Sequence, residues 1–274
     1  MKPAPFDYVR AETAEEALDV LRRHGPDARV LAGGQSLMPM LSMRLARPLV
    51  LVDVMLVPAF RQVRAERGGL RIGAAVRQAS LENRPDLAGT QPLLAAALPW
   101  VGHAQTRSRG TVCGSAAHAD PSAELPLVML ALGAEVQLRS SRRRRLVPAE
   151  QFFIGMMATS RADDEVIEAI VLPDRRPGTG HAFREFGRRH GDFAIVACAA
   201  IVDGAGARLA IGGVADRPMA FALPLPGPDL DAALDDVAWG LGARDDLHAT
   251  ASYRRGLIRR MGRATIEEAA GCRD

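Results

Sequence analysis

Apolar and polar positions along the chain alternate in two rhythms. Residues 13–24, TAEEALDVLRRH, read as a helix. Thr13 is its candidate N-cap, Glu16 stands at the capping-box position, and Gly25-Pro26 stops it. ARVLAG (28–33) follows as a short buried strand, and Leu49 to Val54 make a second strand-like run. GGLRIGAAV (68–76) alternates as a strand does, and RQASLEN continues it helically. PLLAAALPWVG (92–102) reads as a buried helix or apolar connector. DPSAELPLVMLALG (120–133) reads as a helix with Asp120 as its cap and Pro121 at its first position. AEVQLRS (134–140) and VIEAIVLP (166–173) are strands. After PDRRPGTG (173–180), the best linker candidate, HAFREFGRRHGDFAIVACAAIVD and ARLAIGGVA form a separate α/β unit. The tail, 248–270, is an amphipathic helix. No tandem repeat is present, and the mixed order of strands and helices predicts an α+β fold, not a regular βαβ array.

At 274 residues and 48% apolar, the chain is long enough for a sizeable core and two or three subdomains. No run of about 18 apolar residues exists, so no membrane span is expected. The N-terminus has no apolar h-region, so no signal peptide is read. Cys113, Cys198 and Cys272 stand alone with no C-x-x-C, which gives no disulfide framework, zinc site or iron–sulfur site within this chain. A reducing cytoplasm is the simplest compartment. The net charge is +3, and Lys2 is the only lysine among 35 basic residues. The one dense basic patch, Arg142 to Arg145, reads as a solvated hairpin turn between EVQLRS and VPAEQFF. No aromatics interleave with it, and no nucleic-acid partner is expected.

Two stretches share a design: AGGQS (32–36) and TVCGS (111–115). Each sets glycine where the backbone must be bare and small polar side chains beside it. A diphosphate needs such a cradle, with converging N–H donors and no Cβ in the way. Neither stretch is a Walker A loop or a G-x-G-x-x-G motif, and triphosphate hydrolysis is not expected. Either glycine loop alone is more often a plain turn than a ligand loop; the pair points to a dinucleotide held between them.

The segments AGGQSLMPMLSMRLARP, LRIGAAVRQASLE, QTRSRGTVCGSAAHADPSAELP and FREFGRRHGDFAIVACAA follow one another in this order. Together they resemble the FAD-binding medium subunit of the molybdenum hydroxylases, the relatives of carbon monoxide, xanthine and nicotine or aromatic-heterocycle dehydrogenases. The resemblance covers essentially the whole chain. It implies a vanillyl-alcohol oxidase (PCMH)-type FAD-binding domain of two subdomains, 1–56 and 57–175. A C-terminal α+β domain with a small antiparallel sheet, 179–274, follows. It implies that Ala32, Gly33, Gly34, Gln35 and Ser36 line one side of the FAD pyrophosphate. Thr111, Val112, Cys113, Gly114 and Ser115 would line the other. By the same resemblance Glu124 lies near the adenosine end, and Arg184 is a cation near the flavin. Phe193 packs on the flavin ring and Val101 on its opposite face. Many relatives carry two adjacent glycines and an asparagine in the second loop. Here Cys113 adds a Cβ and Ser115 a shorter polar side chain, which puts the geometry of that loop in question.

The resemblance further implies an electron-transfer subunit. Substrate is hydroxylated at a molybdenum cofactor on a large partner subunit. Electrons pass through two [2Fe-2S] clusters on a small partner to FAD in this chain, and then to an external acceptor such as NAD⁺, a quinone, a cytochrome or O₂. The expected assembly is a heterotrimer, often doubled to a heterohexamer. Two other classes stay open: a self-sufficient FAD-dependent oxidoreductase, and a non-catalytic assembly module whose loops have lost FAD.

Overall fold

The computed structural model describes residues 2–66 and 68–273; Met1, Arg67 and Asp274, which fall inside the spans read above, lie outside the described residues. The fold is built on three main sheets. In the first, Val50–Asp53 runs parallel to both Asp7–Arg10 and Ala28–Leu31 and lies between them. Helix Ala14–His24 covers this sheet with Ala14, Ala17, Leu18, Val20 and Leu21. Its start is a complete capping box: Thr13 Oγ1 accepts from Glu16 N at 3.2 Å, and the Glu16 carboxylate accepts from Thr13 N at 3.3 Å.

The second sheet is antiparallel throughout, in the order 63–66, 69–73, 166–173, 135–139 and 144–148. Val166–Pro173 is its middle strand and is buried over most of its length, which is why its sequence is apolar without alternation. The turn at the end of this sheet carries the arginine run. Arg142 and Arg143 stand in that turn as the sequence predicts, whereas Arg144 and Arg145 open strand 144–148 and are not simply solvated. Arg145 grips Glu165 through Nε and Nη2, both at 2.7 Å, and Arg144 reaches Glu168 at 3.2 Å. Glu165 and Glu168 are buried carboxylates on or beside the middle strand, and the arginines neutralise them.

The third sheet is a meander of Gly180–Phe186, Val196–Val202, Ala207–Gly212 and Met219–Leu223. Both of its faces are covered, and its strands divide their side chains between two cores. Val196, Cys198, Ala200 and Val202 pack with helices Asp229–Gly240 and Ala251–Gly271, whereas Ala197 and Ala199 join the main core.

Helix Glu124–Leu132 joins the two halves. It is apolar on every side, and all but its last residue are buried. It packs against the third sheet and against helices Pro92–Ala97 and Val112–His118. The sequence starts this helix at Pro121 under an Asp120 cap; it begins at Glu124 instead. Asp120 Oδ1 accepts from Ser122 N at 2.8 Å in a local turn, and Gly213 N donates to Pro121 O at 2.8 Å, which draws the turn onto the C-terminal sheet.

Candidate cofactor site

The two glycine loops meet backbone to backbone. Strand Ala28–Leu31 ends and the chain turns at Gly33 directly under the end of helix Ala104–Arg109. A Cβ added to Gly33 would lie 2.3 Å from Arg109 O and 2.6 Å from Gly110 Cα, so no other residue fits without parting the loops. Gly34 takes φ +73°, a left-handed conformation that glycine adopts without strain. The Gln35 side chain then donates to Gly33 O at 3.0 Å, folding the loop on itself.

The second loop is held from behind by the chain leaving the second sheet. Gln78 N donates to Gly110 O at 2.9 Å and Val112 N to Val76 O at 3.3 Å. Thr111 then caps helix Val112–His118, its Oγ1 accepting from Gly114 N at 3.0 Å. Cys113 answers the question its Cβ raises. Its thiol lies 3.6 Å from Ile72 O and is buried against the second sheet, so the side chain leaves through the core side of the helix. Burial pushes that thiol up to about 12, which makes it inert as a nucleophile.

These loops form one wall of a cleft of about 1130 Å³. Ala32, Gly33, Gly34, Gln35 and Ser36 all line it, as do Thr111, Cys113, Gly114 and Ser115. Val101, Glu124 and Phe193 line it as well; Val101 is buried, whereas Phe193 is 68% exposed on the loop before strand Val196–Val202. Two residues read from the sequence lie elsewhere. The Val112 side chain is buried in the core and is not part of the lining. Arg184 is not in the lining either; it stands on strand Gly180–Phe186 and ion-pairs with Glu268 at 2.7 Å. The resemblance carried over both positions by motif, and strand alternation decides which way Arg184 points.

Sequence reasoning missed other parts of the lining. His118, at the end of helix Val112–His118, and Asp120 and Ser122, in the turn before helix Glu124–Leu132, reach it, as do Arg29 and Arg161. Met157 lines it too and is tied to the buried Ala119 behind it, Met157 N donating to Ala119 O at 3.1 Å; both are non-glycine residues with φ near +50°. Such strained pairs gather at functional sites, and no local motif announces them.

The charge in the cleft is uneven. Burial pushes the Glu124 carboxyl up to about 7, against a backbone hydrogen bond that lowers it; Asp120 adds to the rise and Arg107 opposes it. On strand Gly180–Phe186, outside the lining, Glu185 is pushed up to about 8, mainly by burial and then by the charge of Glu124. Among the described residues, no helix is long and apolar enough to cross a membrane.

Fold and cleft together define a protein with two bare glycine loops and two apolar residues, Val101 and Phe193, along one extended cleft. Residues 4–175 match the family described as the FAD binding domain in molybdopterin dehydrogenase. The chain belongs to this family: it is an FAD-binding medium subunit of the molybdenum hydroxylase type, part of an oxidoreductase. It is 38% identical to the 6-hydroxypseudooxynicotine dehydrogenase complex subunit alpha of Paenarthrobacter nicotinovorans, over 98% of this chain and 96% of that one. It is 31% identical to the carbon monoxide dehydrogenase medium chain of Hydrogenophaga pseudoflava, over 98% of each. A solved structure of carbon monoxide dehydrogenase from Hydrogenophaga pseudoflava superposes with a TM-score of 0.95 at 31% identity, covering 100% of both chains.

Proposed function

We propose that the cleft holds FAD with its diphosphate between Gly33–Ser36 and Thr111–Ser115 and that the chain relays electrons from partner subunits to an external acceptor. The observation that carries this reading is that both loops line one cleft, drawn together where Gly33 packs backbone to backbone on Arg109 and Gly110. Gln35, Ser36 and Ser115 supply short polar side chains around it. Val101 and Phe193 supply apolar surface for the ring. Glu124 supplies a carboxyl group that burial pushes up to about 7. Cofactor contacts are proposed for neither the Val112 side chain nor Arg184.

Bound FAD supplies the one- and two-electron redox chemistry that protein side chains lack. The chain's own part is to bind it, orient it and shield it. Three isolated cysteines, two of them buried, fit a division of labour in which [2Fe-2S] clusters belong to a small partner and the molybdenum cofactor to a large one. The relatives named for nicotine-derived substrates favour an aromatic nitrogen heterocycle as the substrate of the complex, bound on the large subunit. A cytoplasmic heterohexamer is the expected assembly.

Purification of the chain from its native host under anaerobic conditions tests this reading. The expected result is co-purification of a small iron–sulfur and a large molybdenum subunit, with the flavin reduced only after the clusters. A flavin in the isolated chain that an organic substrate reduces directly would replace the relay with a self-sufficient oxidoreductase.

A further inference from the structure

One guanidinium holds the turn that carries Val101. The chain passes from the short helical turn Leu98–Trp100 through Val101, Gly102 and His103 into helix Ala104–Arg109, with Gly102 at φ +50°. Arg107 of that helix reaches back over the turn. Its Nη1 donates to the carbonyls of Val101 and Gly102 at 3.2 and 3.3 Å, and to that of Pro99 at 3.5 Å. Its Nε donates to Glu82 Oε2 at 2.8 Å, at the end of helix Gln78–Glu82. The two side chains are only 13% and 25% exposed, so the pair is more than a surface contact.

The same turn seats a second segment, the loop between strands Gly180–Phe186 and Val196–Val202 that brings Phe193 to the cleft. Gly191 takes φ +86°, and a Cβ there would lie 2.5 Å from His103 Cε1 and 2.9 Å from Gly102 O, a carbonyl that Arg107 holds. Beside it the His190 ring lies 5.1 Å from that of Trp100. Asp192 closes the loop on itself by accepting from Arg189 Nε at 3.1 Å. Val101 and Phe193 thus rest on one support, while Arg107 itself stays outside the lining. The other end of helix Ala104–Arg109 meets Gly33 through Arg109 and Gly110, so the two glycine loops are joined by contacts that Arg107 does not make.

Side chains that are held in place before a ligand arrives spare it the entropic cost of ordering them. We propose that Arg107 is a positioning residue for the ring half of the cofactor: by closing the turn at 99–103 it fixes Val101 and, through Gly191 and His190, the loop that carries Phe193. This rests on the reading of the cleft as the FAD site. Without the guanidinium, three carbonyls of the turn lose their shared donor, and the surface on which Gly191 is seated loosens with them. The diphosphate loops keep their own contacts. Arg107 therefore serves the flavin end of FAD and not its nucleotide end.

The test compares two ligands on the flavin-free full-length chain: FAD, followed by flavin fluorescence, and ADP, which has the diphosphate but no flavin ring, followed by competition with FAD. Wild type, Arg107→Gln and Arg107→Lys are titrated. FAD Kd is expected to rise about tenfold or more in Arg107→Gln, and less in Arg107→Lys, which keeps the charge beside Glu82. ADP Kd stays within about twofold of wild type in both. Equal losses for FAD and ADP, or no loss for FAD, overturn the positioning role and leave the cofactor site standing. Phe193→Ala gives a second reading: its cost in FAD affinity shrinks by at least about half in the Arg107→Gln background. An undiminished cost overturns the link through the loop. Should Arg107→Gln not fold, Arg107→Lys takes its place in both comparisons, and should ADP bind too weakly to compete, the Phe193→Ala comparison decides. Failure of wild type to bind FAD overturns the cofactor reading itself.

Discussion

Gly33 and Gly110 touch through their backbones: a Cβ on Gly33 would come within 2.6 Å of Gly110 Cα. Two loops nearly eighty residues apart in sequence thereby become one wall. Gly33→Ala is expected to spread them, weakening FAD binding at least about tenfold and costing about 1–3 kcal/mol of stability. Fluorescence titration and thermal unfolding of the variant measure both.

Cys113 is turned into the core, which leads to a result opposite to that of a glycine-preferring loop. Cys113→Gly removes a buried side chain that packs beside Ile72, at a cost of about 1–2 kcal/mol. FAD affinity should not improve. In a thiol-reactivity assay of the native chain, the exposed Cys272 reacts first, and the buried Cys113 and Cys198 only on unfolding.

The raised carboxyls of Glu124 and Glu185 set the direction of the stability–pH profile. Each binds its proton more tightly folded than unfolded, so the native state holds more protons across the interval between the ordinary carboxyl value of 4.5 and about 7 to about 8. Unfolding free energy therefore falls as pH rises through that interval and levels off above it, a loss of about 2–4 kcal/mol. Denaturant melts at pH 5 and 8.5 should show the loss in wild type and about 1–3 kcal/mol less of it in Glu185→Gln.

In the arginine hairpin, charge alone does not set importance. Arg145 holds the buried Glu165 with two bonds, whereas Arg142 lines only a shallow surface cleft beside Glu15 and Asp19. Arg145→Ala leaves the buried Glu165 with the more distant Arg143, at 3.7 Å, and the Ala162 N–H, and should cost about 2–4 kcal/mol, and Arg142→Ala less than about 0.5 kcal/mol. Chemical denaturation of the two variants separates them.

Much of this was legible in the sequence, and particular residues show why the rest was not. The capping box at Thr13 and Glu16 and the apolar strand at 166–173 are local signals, and both elements form as read. The helix at 124–132 shifted because its start is set by Gly213 drawing on Pro121, a contact across the chain that no local motif encodes. The loops at 32–36 and 111–115 were visible as bare, polar stretches, and they do line one cleft. Glu185 and the strained pair Ala119 and Met157 were not visible. Their roles come from what tertiary packing sets beside them, not from their own neighbours in sequence.

The measurement that tests the central claim most directly is a visible absorption spectrum of the purified chain, before and after acid precipitation, with FAD added where none co-purifies. Oxidised-flavin bands that pass into the supernatant as FAD, and that Gly33→Ala loses, are the predicted result. A folded chain that takes up no flavin would contradict the assignment of both glycine loops.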